Sequence, residues 1–129
     1  MTRTLILGAL CMLLTAARCD TAPANTHVAA ATELTRMYAT SRFVNWHIRA
    51  TAAGTNCDVL VVQAAIIVDE SQIEALHYGA GTYDSYKGGV LQFTRDHAFR
   101  GVAYKDVSGR VWAYPPLSAH EAEALVPCH

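Results

Sequence analysis

No cluster of basic residues occurs anywhere in this 129-residue chain, which excludes the phosphate-tracking surface of a nucleic-acid binder. Nor is there a block of like charge or a basic amphipathic stretch suited to a membrane surface. Ten Lys and Arg are scattered among eleven Asp and Glu, for a formal net charge of −1. The six histidines, His27, His47, His77, His97, His120 and His129, never form a close pair, so the ligand spacing that zinc sites draw on is missing. Cysteine never appears as Cys-x-x-Cys, and there is no serine elbow, no Ser-x-x-Lys and no His-Glu-x-x-His. These absences point to a protein without metal or cofactor. Internal repeats are lacking too, and the longest apolar run, residues 5–17, falls short of the roughly 18 residues that a spanning helix needs.

What that run does fit is the core of an export signal. Arg3 gives a positive start, the apolar run follows, and Ala22-Pro23-Ala24 has the small-x-small pattern of a cleavage site. Residues 1–24 are therefore read as a signal peptide and residues 25–129 as the mature domain, secreted or periplasmic, with no transmembrane segment left. Cleavage after Ala16 or Ala17 is the competing site. Lipid attachment at Cys19 is a further alternative, opposed by Arg18, which stands where such sites carry a small residue.

A mature chain of this size makes one domain that buries about two-thirds of its unfolded surface. Loss of Arg3, Arg18 and Asp20 leaves it slightly more acidic than the full chain. Cys11 and Cys19 go with the leader, so Cys57 and Cys128 remain, and in an oxidising compartment the pair is expected to form one disulfide. A thiolate nucleophile is the alternative, but neither cysteine has the basic surroundings that lower a thiol's pKa.

Periodicity predicts an amphipathic helix over residues 29–41, with Leu34, Met37 and Tyr38 inward. Val44, Trp46 and Ile48 alternate with polar residues, which predicts a strand ending at the turn formed by residues 53–56. Between Asp58 and Val68, residues 59–68 are apolar on both faces apart from Gln63, which predicts a long central strand. Asp69 and Gln72 make a capping box for a helix that Gly79 stops. Residues 90–97 read as a short helix or a strand. A hairpin of residues 99–105 and 110–114 follows, reversing through the loop of residues 106–109, and Pro115-Pro116 ends it. Ser118 and Glu121 start a last helix, residues 119–125. The order predicts an α+β fold: a small antiparallel or mixed sheet of about four strands, helices packed on one face, and one disulfide tying the central strand to the C-terminus.

Tyr83-x-x-x-Lys87 has the spacing of the tyrosine and lysine of short-chain dehydrogenases, but the glycine-rich strand-to-helix turn that such enzymes need is absent. Gly79-Ala80-Gly81 begins like a dinucleotide fingerprint, yet it follows a helix and Asp84 stands where a glycine belongs. Glu70 and Glu74 share one helix face, which reads as a solvated face near a helix N-terminus. The remaining candidate is an aromatic cluster, His77 and Tyr78 just before the glycine-bearing region of residues 79–89 and Tyr83 and Tyr86 within it. Tyrosine presents large contact area at small rotamer cost, so the cluster is expected to bind a partner unless it lids the core. The expected function is a non-enzymatic binding or inhibitory module of the cell envelope or exterior, its partner an envelope or extracellular protein. The alternatives are a small secreted hydrolase using His77, His97 and Asp96, and an accessory domain of an envelope complex.

Overall fold

A computed structural model describes residues 16–79 and 86–129 of the chain. Residues 1–15 of the expected leader, and Tyr83 of the aromatic cluster, lie outside the described residues. Helix α1 (Ala16–Tyr38) is followed by a 3-10 turn at Val44–Trp46, strand β1 (Arg49–Ala53), strand β2 (Val59–Gln63), helix α2 (Glu70–Tyr78), helix α3 (Gly89–Asp96), strand β3 (Gly101–Lys105), strand β4 (Val111–Tyr114) and helix α4 (Ala119–Glu123). The sheet has the order β1-β2-β3-β4, parallel between β2 and β3 and antiparallel at either side. The fold is α+β with a mixed sheet, and Cys57 is bonded to Cys128. No helix among the described residues is long and apolar enough to cross a membrane.

The main core lies on one face of the sheet. Leu60 and Val62 of β2, with Val102 and Tyr104 of β3, meet Leu34 and Tyr38 of α1, Ile73 and Leu76 of α2, and Phe93 of α3. On the other face the chain leaves β4 at Pro115, turns through α4 and runs back to β1. There Leu125 packs on Ala53, Val59 and Val61. Gly54 N–H donates to Val126 C=O at 3.1 Å and Cys128 N–H to Ala52 C=O at 2.8 Å. The C-terminal segment is thus a strap across the back of the sheet, buckled by the disulfide.

Strap and helix together close the β1 edge. Ala50 N–H donates to Thr35 Oγ1 at 2.9 Å, and the same hydroxyl lies 3.2 Å from Ala50 C=O. An edge whose backbone groups are spoken for cannot template another strand.

Both capping boxes form as the sequence predicts. Asp69 accepts from Gln72 N–H and Gln72 Oε1 from Asp69 N–H, while Ser118 and Glu121 make the same exchange at α4. Gly79 ends α2 in the left-handed conformation. Residues 90–97 resolve to helix, as α3, and the hairpin is β3 and β4.

Two strands differ from the reading of the sequence. Residues 44–48 are not extended: Trp46 is buried by a tight turn that sets its ring edge-on to Phe43, His47 takes a positive φ of 49°, and Val44 is 45 % exposed. The strand begins at Arg49, where Ala50 and Ala52 are buried beneath α1. Small side chains let the helix approach closely, and that packing outweighs alanine's weak preference for strands. Strand β2 stops at Gln63, not at residue 68. Val68 N–H is drawn to Asp106 Oδ2 at 3.3 Å, so the segment between leaves the ladder and Ile67 is 65 % exposed.

Candidate functional site

His77 stands on the last turn of α2 and is 2 % exposed. Its Nδ1 lies 2.6 Å from the Tyr104 hydroxyl, its ring is stacked on Tyr114 at 4.2 Å, and Tyr78 meets it edge-on at 4.8 Å. Helix α2 delivers the imidazole from above, and the β3–β4 register Val102↔Tyr114 and Tyr104↔Trp112 puts both tyrosines on the helix side of the sheet. Burial, with the charge of Arg95, pushes the His77 pKa down to about 4. Burial also pushes the Tyr104 hydroxyl well above its ordinary range. Near neutral pH the two groups are uncharged and share one hydrogen bond, which fixes the orientation of the imidazole.

The sign of the pH dependence follows. An unfolded histidine titrates near 6.5, so below that pH the unfolded chain takes up a proton that the folded chain refuses until about pH 4. Stability is present above pH 6.5 and falls as the pH drops towards 4, by on the order of 3 kcal/mol in all. His77→Gln, which keeps a partner for Tyr104 but does not titrate, is expected to lose most of that slope. Urea melts of both proteins between pH 7 and 4 check it. Equal slopes would show that His77 is not the group responsible.

The four expected site residues have different fates. His77 is a core residue, whereas Tyr78 beside it is 55 % exposed. Tyr86 is half-buried, edge-on to Phe93 at 5.1 Å, with its hydroxyl 2.5 Å from Asp96 Oδ2. Tyr83 is outside the described residues. Gly79 and Gly89 touch: a Cβ on either would come within 2.4 Å of the other's backbone nitrogen. That contact joins the end of α2 to the start of α3 and sets where Tyr78 stands.

The residues of the hydrolase alternative are engaged elsewhere. Asp96 accepts from Tyr86 and from Gln92 Nε2 at 2.8 Å, and these bonds hold its carboxyl below the ordinary range. The His97 ring lies against Phe93 at 4.1 Å, and its C=O is bonded to His27 Nε2 at 3.1 Å. Among the described residues no group of three His, Cys, Asp or Glu is placed to hold a metal ion.

Tyr104, Tyr114 and Asp106 were not singled out from the sequence. The tyrosines were accessible in principle, because a hairpin of known loop length fixes which residues share a face. Asp106 is buried and ties two loops together: Oδ1 accepts from Ser108 N–H, and Oδ2 from Val68 N–H and Arg110 Nη2, whose guanidinium also reaches Val68 C=O at 2.7 Å. The Ser108 and Arg110 bonds hold its carboxyl well below the usual range. Asp-x-Ser with Arg four residues on was the available signal.

Around Tyr114 the surface is acidic. Glu70, Glu74 and Tyr78 follow one another at helical spacing on α2, and the two carboxylates add to the burial that raises the Tyr114 hydroxyl's pKa. Behind β4 lies an open groove of ≈ 540 Å³, lined by Val111, Ala113, Pro116, Leu117, Ala122 and Glu123 among others. No protein-family model, curated protein or solved structure matches the chain.

Proposed function

We propose that the chain is an exported, disulfide-buckled binding module without chemistry of its own, and that it meets an envelope or extracellular protein through the rim of α2 and β4. One observation carries this reading. Tyr78 is more than half exposed, yet its ring rests edge-on against an imidazole that is itself stacked on Tyr114. A large aromatic held on a rigid support loses little freedom on binding, which is the property of anchor residues at interfaces. The imidazole beneath it serves as that support.

Export is consistent with the packing of α1. Among the described side chains of α1, His27, Ala30, Ala31, Leu34 and Tyr38 are buried, and these follow the cleavage site expected after Ala24, although the helix runs back through that site to Ala16. Removal of residues 1–24 therefore leaves those contacts in place.

Tyr78→Ala tests the reading. Capture from an envelope extract by the variant is expected to fall about tenfold or more against the wild type, as for an interface anchor, with the melting temperature nearly unchanged. Undiminished capture, or a variant that unfolds, would count against it.

A further inference from the structure

The two edges of the sheet are treated differently. Strand β1 is closed by Thr35 and the strap, whereas among the described residues no backbone partner meets the outer side of β4. The direction of its groups can be read from the ladder. Asp106 N–H donates to Arg110 C=O, so the pair Asp106–Arg110 is bonded, Lys105↔Val111 is not, Tyr104↔Trp112 is, and Ala103↔Ala113 is not. Residues of the unbonded pairs turn their N–H and C=O away from each other. On the inner side this holds, since Lys105 C=O accepts from Ala64 N–H beyond β2 at 2.8 Å. On the outer side it leaves the N–H and C=O of Val111 and Ala113 facing out.

The same two residues line the groove behind the sheet, whose far wall is Pro116, Leu117 and Ala122. We infer that β4 is a docking edge for an extended segment of a partner protein, which adds as a fifth strand and lays alternate side chains into that groove. An antiparallel strand would make four backbone bonds with Val111 and Ala113, its residues opposite these two pointing into the apolar groove. The residue opposite Tyr114 would emerge on the helix side beside Glu70 and Glu74, and among the described residues that line the groove the charged one is Glu123. The Tyr114 end is acidic, whereas Arg110, paired with Asp106, lies over Trp112, so the complementary segment reads basic, apolar, any, apolar from its N-terminus. The strand Val-Trp-Ala-Tyr carries neither the lysine nor the proline that commonly blunts an exposed edge. The inference rests on the reading of the chain as a binding module and names the class of its partner.

The probe is a capped hexapeptide, Thr-Lys-Val-Thr-Val-Thr, titrated into the ¹⁵N-labelled mature protein while amide exchange is followed residue by residue. In the free protein the amides of Val111 and Ala113 are expected to exchange faster than those of Trp112 and Tyr114. With peptide bound, exchange at Val111 and Ala113 should slow by about tenfold or more. N-methylation of both valines should abolish this, N-methylation of the central threonine should not, and glutamate in place of lysine should weaken binding about tenfold, as an opposed charge does. Binding that leaves Val111 and Ala113 unprotected, equal binding of the valine-methylated peptide, or no binding at millimolar peptide would each overturn strand addition. So would protection of both amides in the free protein together with a concentration-dependent dimer, since the occupant would then be a second copy. None of these results touches the Tyr78→Ala comparison, so the two readings fail separately.

Discussion

Replacing Cys57 and Cys128 by serine is expected to destabilise the mature protein by about 4 kcal/mol. The bridge closes a loop across 71 residues of separation, with Cα atoms 6.0 Å apart, and its main effect is to remove freedom from the unfolded chain. Few native contacts stand in for it. The strap is held to β1 by two backbone bonds and by Leu125 on a small apolar cluster, while α4 is one short helix. For a domain of this size the loss corresponds to a fall in melting temperature of roughly 15–30 °C. Urea melts of the double-serine variant, and of the wild type under reducing conditions, should agree. A loss below about 1 kcal/mol would mean that the strap is held by packing alone and that the bridge constrains little.

The second large effect is expected at Gly89. Its φ is +74°, and a Cβ there would lie 2.4 Å from both Gly79 N and His77 C=O, which are backbone atoms that cannot swing aside. Gly89→Ala therefore combines an unfavourable backbone region with overpacking, and roughly 3 kcal/mol or more should be lost. The cost has a functional side, because the collision pushes α3 off the turn that carries His77 and Tyr78. Gly109→Ala is the internal control. Its φ is +91°, but a Cβ meets nothing within 4 Å, so the penalty should stay near the conformational 1–2 kcal/mol alone. Denaturant melts of both variants separate the terms. Equal losses would show that the Gly79–Gly89 contact is not close-packed in solution.

Much of the architecture was legible because it is written in local chemistry. The Asp69–Gln72 and Ser118–Glu121 boxes announce two helix starts, Gly79 a helix stop, and residues 106–109 a hairpin, and each requires only neighbours in sequence. The disulfide was legible by elimination, once two cysteines were assigned to the leader. The end of strand β1 at the turn of residues 53–56 was legible but its start at Arg49 was not, since Arg-Ala-Thr-Ala-Ala alternates only small with polar side chains and is extended where α1 packs closely upon it. The end of β2 was hidden for a related reason: the group that takes Val68 N–H is Asp106, which stands 38 residues further along the chain. The tyrosines around His77 depend on helix α2 crossing the β3–β4 hairpin at one register, which no single segment encodes. Composition alone groups the residues near the end of α2 as a recognition cluster. Structurally they divide into a buried support, His77, and an exposed contact, Tyr78.

Export with closure of the last two cysteines is the premise on which the binding reading stands, and one measurement reaches it directly: the intact mass, without reduction, of protein recovered from outside the cytoplasm. The predicted mass is that of residues 25–129 less two hydrogens, unchanged by a thiol-alkylating reagent. Retention of Met1, or alkylation at both Cys57 and Cys128, would contradict it.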